Sequence, residues 1–133
     1  DTAIREGRFH LDHILSTNPE SHSITLTSEL QPGDHLFLAI RDTNAAEQGM
    51  KKAIESATNK LGDKPDFGLM FPCLARGPSF YGGHDRDIEI LKELHPGMPF
   101  IGFYGNGEIG PLKDGNYTYQ YSTSLGLFKI KNN

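Results

Sequence analysis

Phe67-Gly68-Leu69-Met70-Phe71 is a short apolar run that begins just after Pro65-Asp66 and ends at Pro72. Its length and its Gly and Pro boundaries predict a buried strand. That strand delivers Cys73-Leu74-Ala75-Arg76-Gly77 to its end, the place where open α/β sheets usually bind ligands. Downstream, Asp85 can cap a helix that carries Ile88, Leu91 and Leu94 and closes at His95-Pro96-Gly97. Pro99 to Tyr104 then reads as another buried strand. Upstream, Ala46, Met50, Ala53, Ile54, Ala57 and Leu61 recur at helical intervals before Gly62, and Asn44 with Glu47 has capping-box spacing. These features predict a helix from about 44 to 61.

Further out the chain reads as strands. Ile24, Leu26 and Ser28 alternate with Thr25, Thr27 and Glu29, and Gln31-Pro32-Gly33-Asp34 suits a type II turn. The more apolar His35–Ile40 run is the expected return strand of a hairpin, and a further strand is expected over Arg8–Leu15. Tyr117 to Ile130 is long and free of Pro, so it predicts one strand or a bent pair. One face carries Tyr117, Tyr119, Tyr121, Thr123, Leu125 and Leu127 and belongs on a core; the other carries small residues, among them Ser122, Ser124 and Gly126. The expected fold is α/β, with α+β as its variant: a mixed sheet of about six strands with two main helices on one face. Two helices cannot cover both faces of such a sheet, so the small-residue face is expected to pack on a second layer.

Composition narrows the function. The chain has 133 residues and reads as a single domain over 1–133, with 1–7 as a linking start. Leu, Ile and Phe supply 32 residues, about a quarter of the chain and enough for a core. A net charge of −4 without a run of Lys or Arg argues against nucleic acid as a partner. No uncharged stretch approaches the roughly 20 residues of a membrane span. The single cysteine, Cys73, cannot form an internal disulfide, and no signal peptide is evident, so a cytoplasmic location is expected.

Gly105-Asn106-Gly107-Glu108-Ile109-Gly110 is literally G-x-G-x-x-G after a predicted strand, yet Pro111 and Lys113-Asp114-Gly115-Asn116 follow, leaving no helix N-terminus for a pyrophosphate. Dinucleotide binding is therefore not expected. Glu108 is the only charge between His95 and Lys113, and a carboxylate buried there would be costly without a partner. Arg76 could pair with Glu108 or clamp a carboxylate or phosphate with its planar fork. Arg41-Asp42 precedes the first helix, so Asp42 is a possible cap and Arg41 can reach over the sheet edge. An enzyme would need an activated Cys73, for which His84 is the nearest base in sequence, and no independent feature supports one. His10 and His13 flank Asp12 without zinc-ligand spacing, so no metal is expected.

Gly33-Asp34, Arg41-Asp42, Cys73-Leu74-Ala75-Arg76-Gly77 and Gly102-Phe103-Tyr104-Gly105-Asn106-Gly107-Glu108-Ile109-Gly110 together resemble the FIST C-terminal domain, from about Phe9 to Phe128. The resemblance implies a non-enzymatic sensory module of signal-transduction or F-box proteins. Its ligand would be small, an amino acid or other small anion, and no resident cofactor is implied, although some related proteins are haem-containing nitric oxide sensors. A protein-interaction module, or a haem-binding nitric oxide sensor domain, is the alternative. The implied ligand-binding set is Cys73, Arg76, Gly77, Gly105, Asn106, Gly107, Glu108 and Arg41. The implied cover for the open sheet face is an N-terminal FIST domain, absent from this chain, or a second copy.

Overall fold

The computed structural model describes residues 11–112 and 115–131, so the linking start expected at 1–7, together with His10, Lys113 and Asp114, lies outside the described residues. The chain divides into two compact units, Asp1–Ile40 and Arg41–Asn133.

In the first unit, β1 (Ile14–Asn18) and β2 (Ser23–Leu26) form an antiparallel hairpin. Asn18 closes it: its side-chain oxygen accepts from the backbone N–H of Glu20 at 2.9 Å and of Ser21 at 3.2 Å. The hairpin therefore turns at residues 19–22 and not around Pro32-Gly33, where it was expected. The Gln31–Asp34 turn does form, with Asp34 N–H donating to the Gln31 carbonyl at 3.0 Å and Gly33 at φ 100°. The return strand does not: residues 35–40 are irregular, and Leu38 and Ile40 are 81% and 92% exposed. A run of β-forming residues becomes a strand only by pairing, and this one has no ladder.

The second unit opens with α1 (Thr43–Leu61), capped by Asp42, whose carboxylate accepts from Ala45 N–H at 2.7 Å. Gly62, in the left-handed region at φ 74°, ends it. Next come β3 (Phe67–Pro72), a 3-10 turn at Leu74–Arg76, α2 (Arg86–Leu94), β4 (Phe100–Gly102), β5 (Glu108–Leu112), β6 (Gly115–Tyr119) and β7 (Thr123–Phe128). β3 pairs in parallel with β4 and antiparallel with β7, giving the order β4-β3-β7, while β5 and β6 form a separate hairpin. The class is the mixed α/β expected, but the described strands are distributed over three small sheets instead of one of six. Tyr121, at φ 58°, marks the bend between β6 and β7.

Both helices pack on one face of the β4-β3-β7 sheet. Met50 and Ile54 of α1 and Ile90 and Leu91 of α2 meet Met70 and Met98, with Ile88, Phe100, Leu125 and Leu127 around them. β3 alternates accordingly, Gly68, Met70 and Pro72 being buried while Phe67, Leu69 and Phe71 are not. On the other face Phe67 stacks on Phe128 at 4.8 Å and Phe71 meets Phe103 edge-on at 5.1 Å. A groove of about 580 Å³ runs there, lined by Leu69, Phe71, Ile109, Tyr119, Ser124 and Gly126 among others. Ser124 and Gly126 thus lie on the side away from the helices, as the alternation in the sequence requires.

Candidate functional site

The parallel pair β3–β4 sends two loops off the same end of the sheet, and backbone hydrogen bonds tie them together. Gly105 N–H donates to the Pro72 carbonyl at 2.9 Å, and Leu74 N–H donates to the Gly105 carbonyl at 2.8 Å. Cys73 N–H donates to the Ser122 carbonyl at 2.9 Å, drawing in the bend before β7. The segments around Cys73, Gly105 and Ser122 therefore meet at the carboxyl ends of the parallel strands.

Glu108 closes this cluster and is only 3% exposed. Its Oε2 accepts from Ser122 Oγ at 2.8 Å and, more weakly, from Ser122 N–H at 3.4 Å. Its Oε1 is buried and has no hydrogen-bond partner among the described residues. A Cβ at Gly105 would sit 3.2 Å from the Gly107 carbonyl oxygen and 3.7 Å from Glu108 Oε1, so glycine keeps the space in front of both acceptors clear. Gly107 has φ 151°, a conformation that side chains disfavour.

Of the expected site residues, Cys73, Gly105, Gly107 and Glu108 come together here. Cys73 is 5% exposed. Asn106 stands exposed on the loop. Arg76 does not pair with Glu108. Its guanidinium forms a fork with Asp87 (Nε to Oδ2 2.7 Å, Nη2 to Oδ1 2.8 Å) and donates to Tyr81 Oη at 3.0 Å and the Ala46 carbonyl at 3.2 Å. The 3-10 turn after Cys73 carries Arg76 to the helix layer, where Asp87 is fully buried and also accepts from Tyr81 and Thr123. Burial and then the neighbouring Asp87 carboxylate push the Tyr81 hydroxyl well above its ordinary range.

Gly77 packs beneath Tyr104, whose ring would lie 3.4 Å from a Cβ there. Tyr104 donates a short hydrogen bond to Asp85, so Asp85, expected as a helix cap, bonds the Tyr104 hydroxyl and makes no side-chain cap. Arg41 does reach across the loops: Nη1 donates to the Ala75 carbonyl at 2.9 Å, and the guanidinium lies 5.1 Å from the Phe80 ring centre and 4.8 Å from that of Tyr121.

Asp87, Tyr81, Thr123 and the pairing of Ser122 with Glu108 escaped the reading of the sequence. Asp87 left a signal, since it stands three and four residues before Ile90 and Leu91 and so shares the buried stripe of α2. His84 is largely exposed and faces Glu89 at 3.7 Å, and among the described residues no hydrogen bond joins it to Cys73. His95 is buried with Nε2 2.9 Å from Thr58 Oγ1, and neither His95 nor His84 is among the residues that line the apolar groove.

The family model described as the FIST C domain matches residues 2–111. An uncharacterized protein of Mycobacterium tuberculosis (strain ATCC 25618 / H37Rv) is 31% identical over 123 residues, covering 92% of this chain and 32% of that protein. An uncharacterized protein of Mycobacterium bovis (strain ATCC BAA-935 / AF2122/97) is 30% identical over the same shares. F-box only protein 22 of Homo sapiens is 26% identical over 107 residues, covering 68% of this chain and 26% of that protein. The chain thus spans about a third of the length of the mycobacterial relatives it matches.

Proposed function

The chain belongs to the FIST C domain family, and on that premise we propose that it is the small-ligand sensing module of a cytoplasmic signal-transduction protein, without enzymatic activity of its own. One observation carries this reading: the loops at the carboxyl ends of the parallel strands β3 and β4 are bonded to each other around a buried carboxylate. That is where parallel strand pairs present backbone and side chains to small molecules. Among the described residues no base is hydrogen-bonded to Cys73, which supports binding over nucleophilic chemistry.

A thermal-shift screen of amino acids, simple amines and small anions tests the proposal. A ligand at about 100 times its dissociation constant adds roughly 2.7 kcal/mol to folding stability. A stabilising ligand whose effect is lost on changing Glu108 is expected; a screen without any hit contradicts the reading.

The groove on the open sheet face favours a second role beside this one. Its lining is aromatic and aliphatic, and Ile101, Phe103 and Ile109 stand 70–72% exposed near it. Apolar surface of this kind marks a contact with another layer. The N-terminal FIST domain, or a second copy of this chain, is the occupant this reading assigns.

A further inference from the structure

Glu108 is a carboxyl group held out of water, with one of its two oxygens lacking a hydrogen-bond partner among the described residues. Ser122 serves Oε2 alone, and among the described residues no Lys, Arg or His is paired with the carboxylate. Oε1 and the Gly107 carbonyl oxygen would lie 3.7 and 3.2 Å from a Cβ on Gly105, so two acceptors stand on one side of that glycine. Resting on the ligand-binding reading above, we infer that the ligand taken here is a small organic cation whose primary ammonium group donates to Glu108 Oε1.

The chemistry discriminates among ligand classes. A small anion would be repelled by the buried carboxylate, and a neutral hydroxyl would leave its charge uncompensated. A guanidinium binds best through both oxygens of a carboxylate, but Oε2 is already occupied by Ser122. A divalent ion such as calcium collects about six to eight oxygen ligands, and the described residues offer no cluster of carboxylates or histidines. A primary ammonium is a compact monovalent charge with several donors, matched to one free carboxylate oxygen and a nearby carbonyl. Oε1 is enclosed, so entry requires Asn106 and Gly107 to move while Gly105 stays tied to Pro72 and Leu74 by its backbone hydrogen bonds.

The test is a thermal-shift titration of the intact chain at constant ionic strength. Probes are the hydrochlorides of methylamine, ethanolamine and glycine methyl ester, with tetramethylammonium, acetamide and acetate as matched controls. A rise of several degrees at about ten times the dissociation constant is expected for the primary amines alone, and it should vanish in Glu108→Gln. Circular dichroism confirms that the variant is folded. Gly105→Ala, which fills the space, should weaken the response about tenfold while the carboxylate remains. A response to amines that persists in Glu108→Gln, or a response to acetate or acetamide alone, overturns the cation assignment but leaves ligand sensing standing. No response to any probe overturns both.

Discussion

Glu108 and Asp87 are both buried carboxylates, and their surroundings set opposite expectations for the same substitution. Asp87 accepts from Arg76, Tyr81 and Thr123. Asp87→Asn takes away the partner of a largely buried guanidinium and should cost about 3–5 kcal/mol, measured by urea denaturation. A loss under about 1 kcal/mol would mean that the network is not formed. Glu108 Oε1 has no partner among the described residues, so Glu108→Gln keeps an acceptor for Ser122 and replaces the unpartnered carboxyl oxygen with an amide that can donate toward the Gly107 carbonyl. It should raise stability by about 1 kcal/mol in the absence of ligand. A substantial loss would reveal a partner for the carboxylate. The sequence pointed to Glu108 because its charge stands isolated in an apolar stretch. It could not reveal that Arg76 turns to the helix layer, because the direction of a side chain leaving a 3-10 turn is set by tertiary packing.

The elements most legible in the sequence were those whose signals are local. The α1 periodicity and its Gly62 stop stand as read, and the N-cap is Asp42, one of the candidates the sequence offered. Residues 35–40 were not legible, because the same β-forming residues make a strand or an irregular segment depending on a partner that propensity does not encode. At β4, a Cβ on Gly102 would fall 1.6 Å from the Met70 carbonyl oxygen of the neighbouring strand. Gly102→Ala therefore forces β3 and β4 apart and with them the Pro72–Gly105 tie that assembles the site. The expected outcome is a loss of at least about 2 kcal/mol together with loss of ligand response; a variant with native stability would show that the parallel pairing is not needed.

The conserving of a folded second unit depends on pH through His95, which joins the α2 exit to α1 by its bond with Thr58. Burial, and then the charge of Lys64, hold its pKa below the ordinary value of about 6.5. The unfolded chain therefore takes up the proton more readily than the folded one. The contribution to stability is complete above about 6.5 and is lost as pH falls through the lowered folded value. Urea midpoints should fall between pH 7.5 and 5.5, and His95→Gln should flatten that fall; an unchanged slope would show that His95 is not the group responsible. At the same scale, the open apolar face predicts association: sedimentation of the chain should show a concentration-dependent dimer that Ile109→Lys abolishes, and a monomer at every concentration would leave that face without its assigned role. On the proposed reading, ligand binds at the carboxyl ends of β3 and β4. Amide chemical shifts recorded during an ethanolamine titration test it most directly. Saturable changes concentrated at Cys73, Leu74, Gly105, Glu108 and Ser122 are expected; changes confined to the apolar groove, or none at all, would contradict binding there.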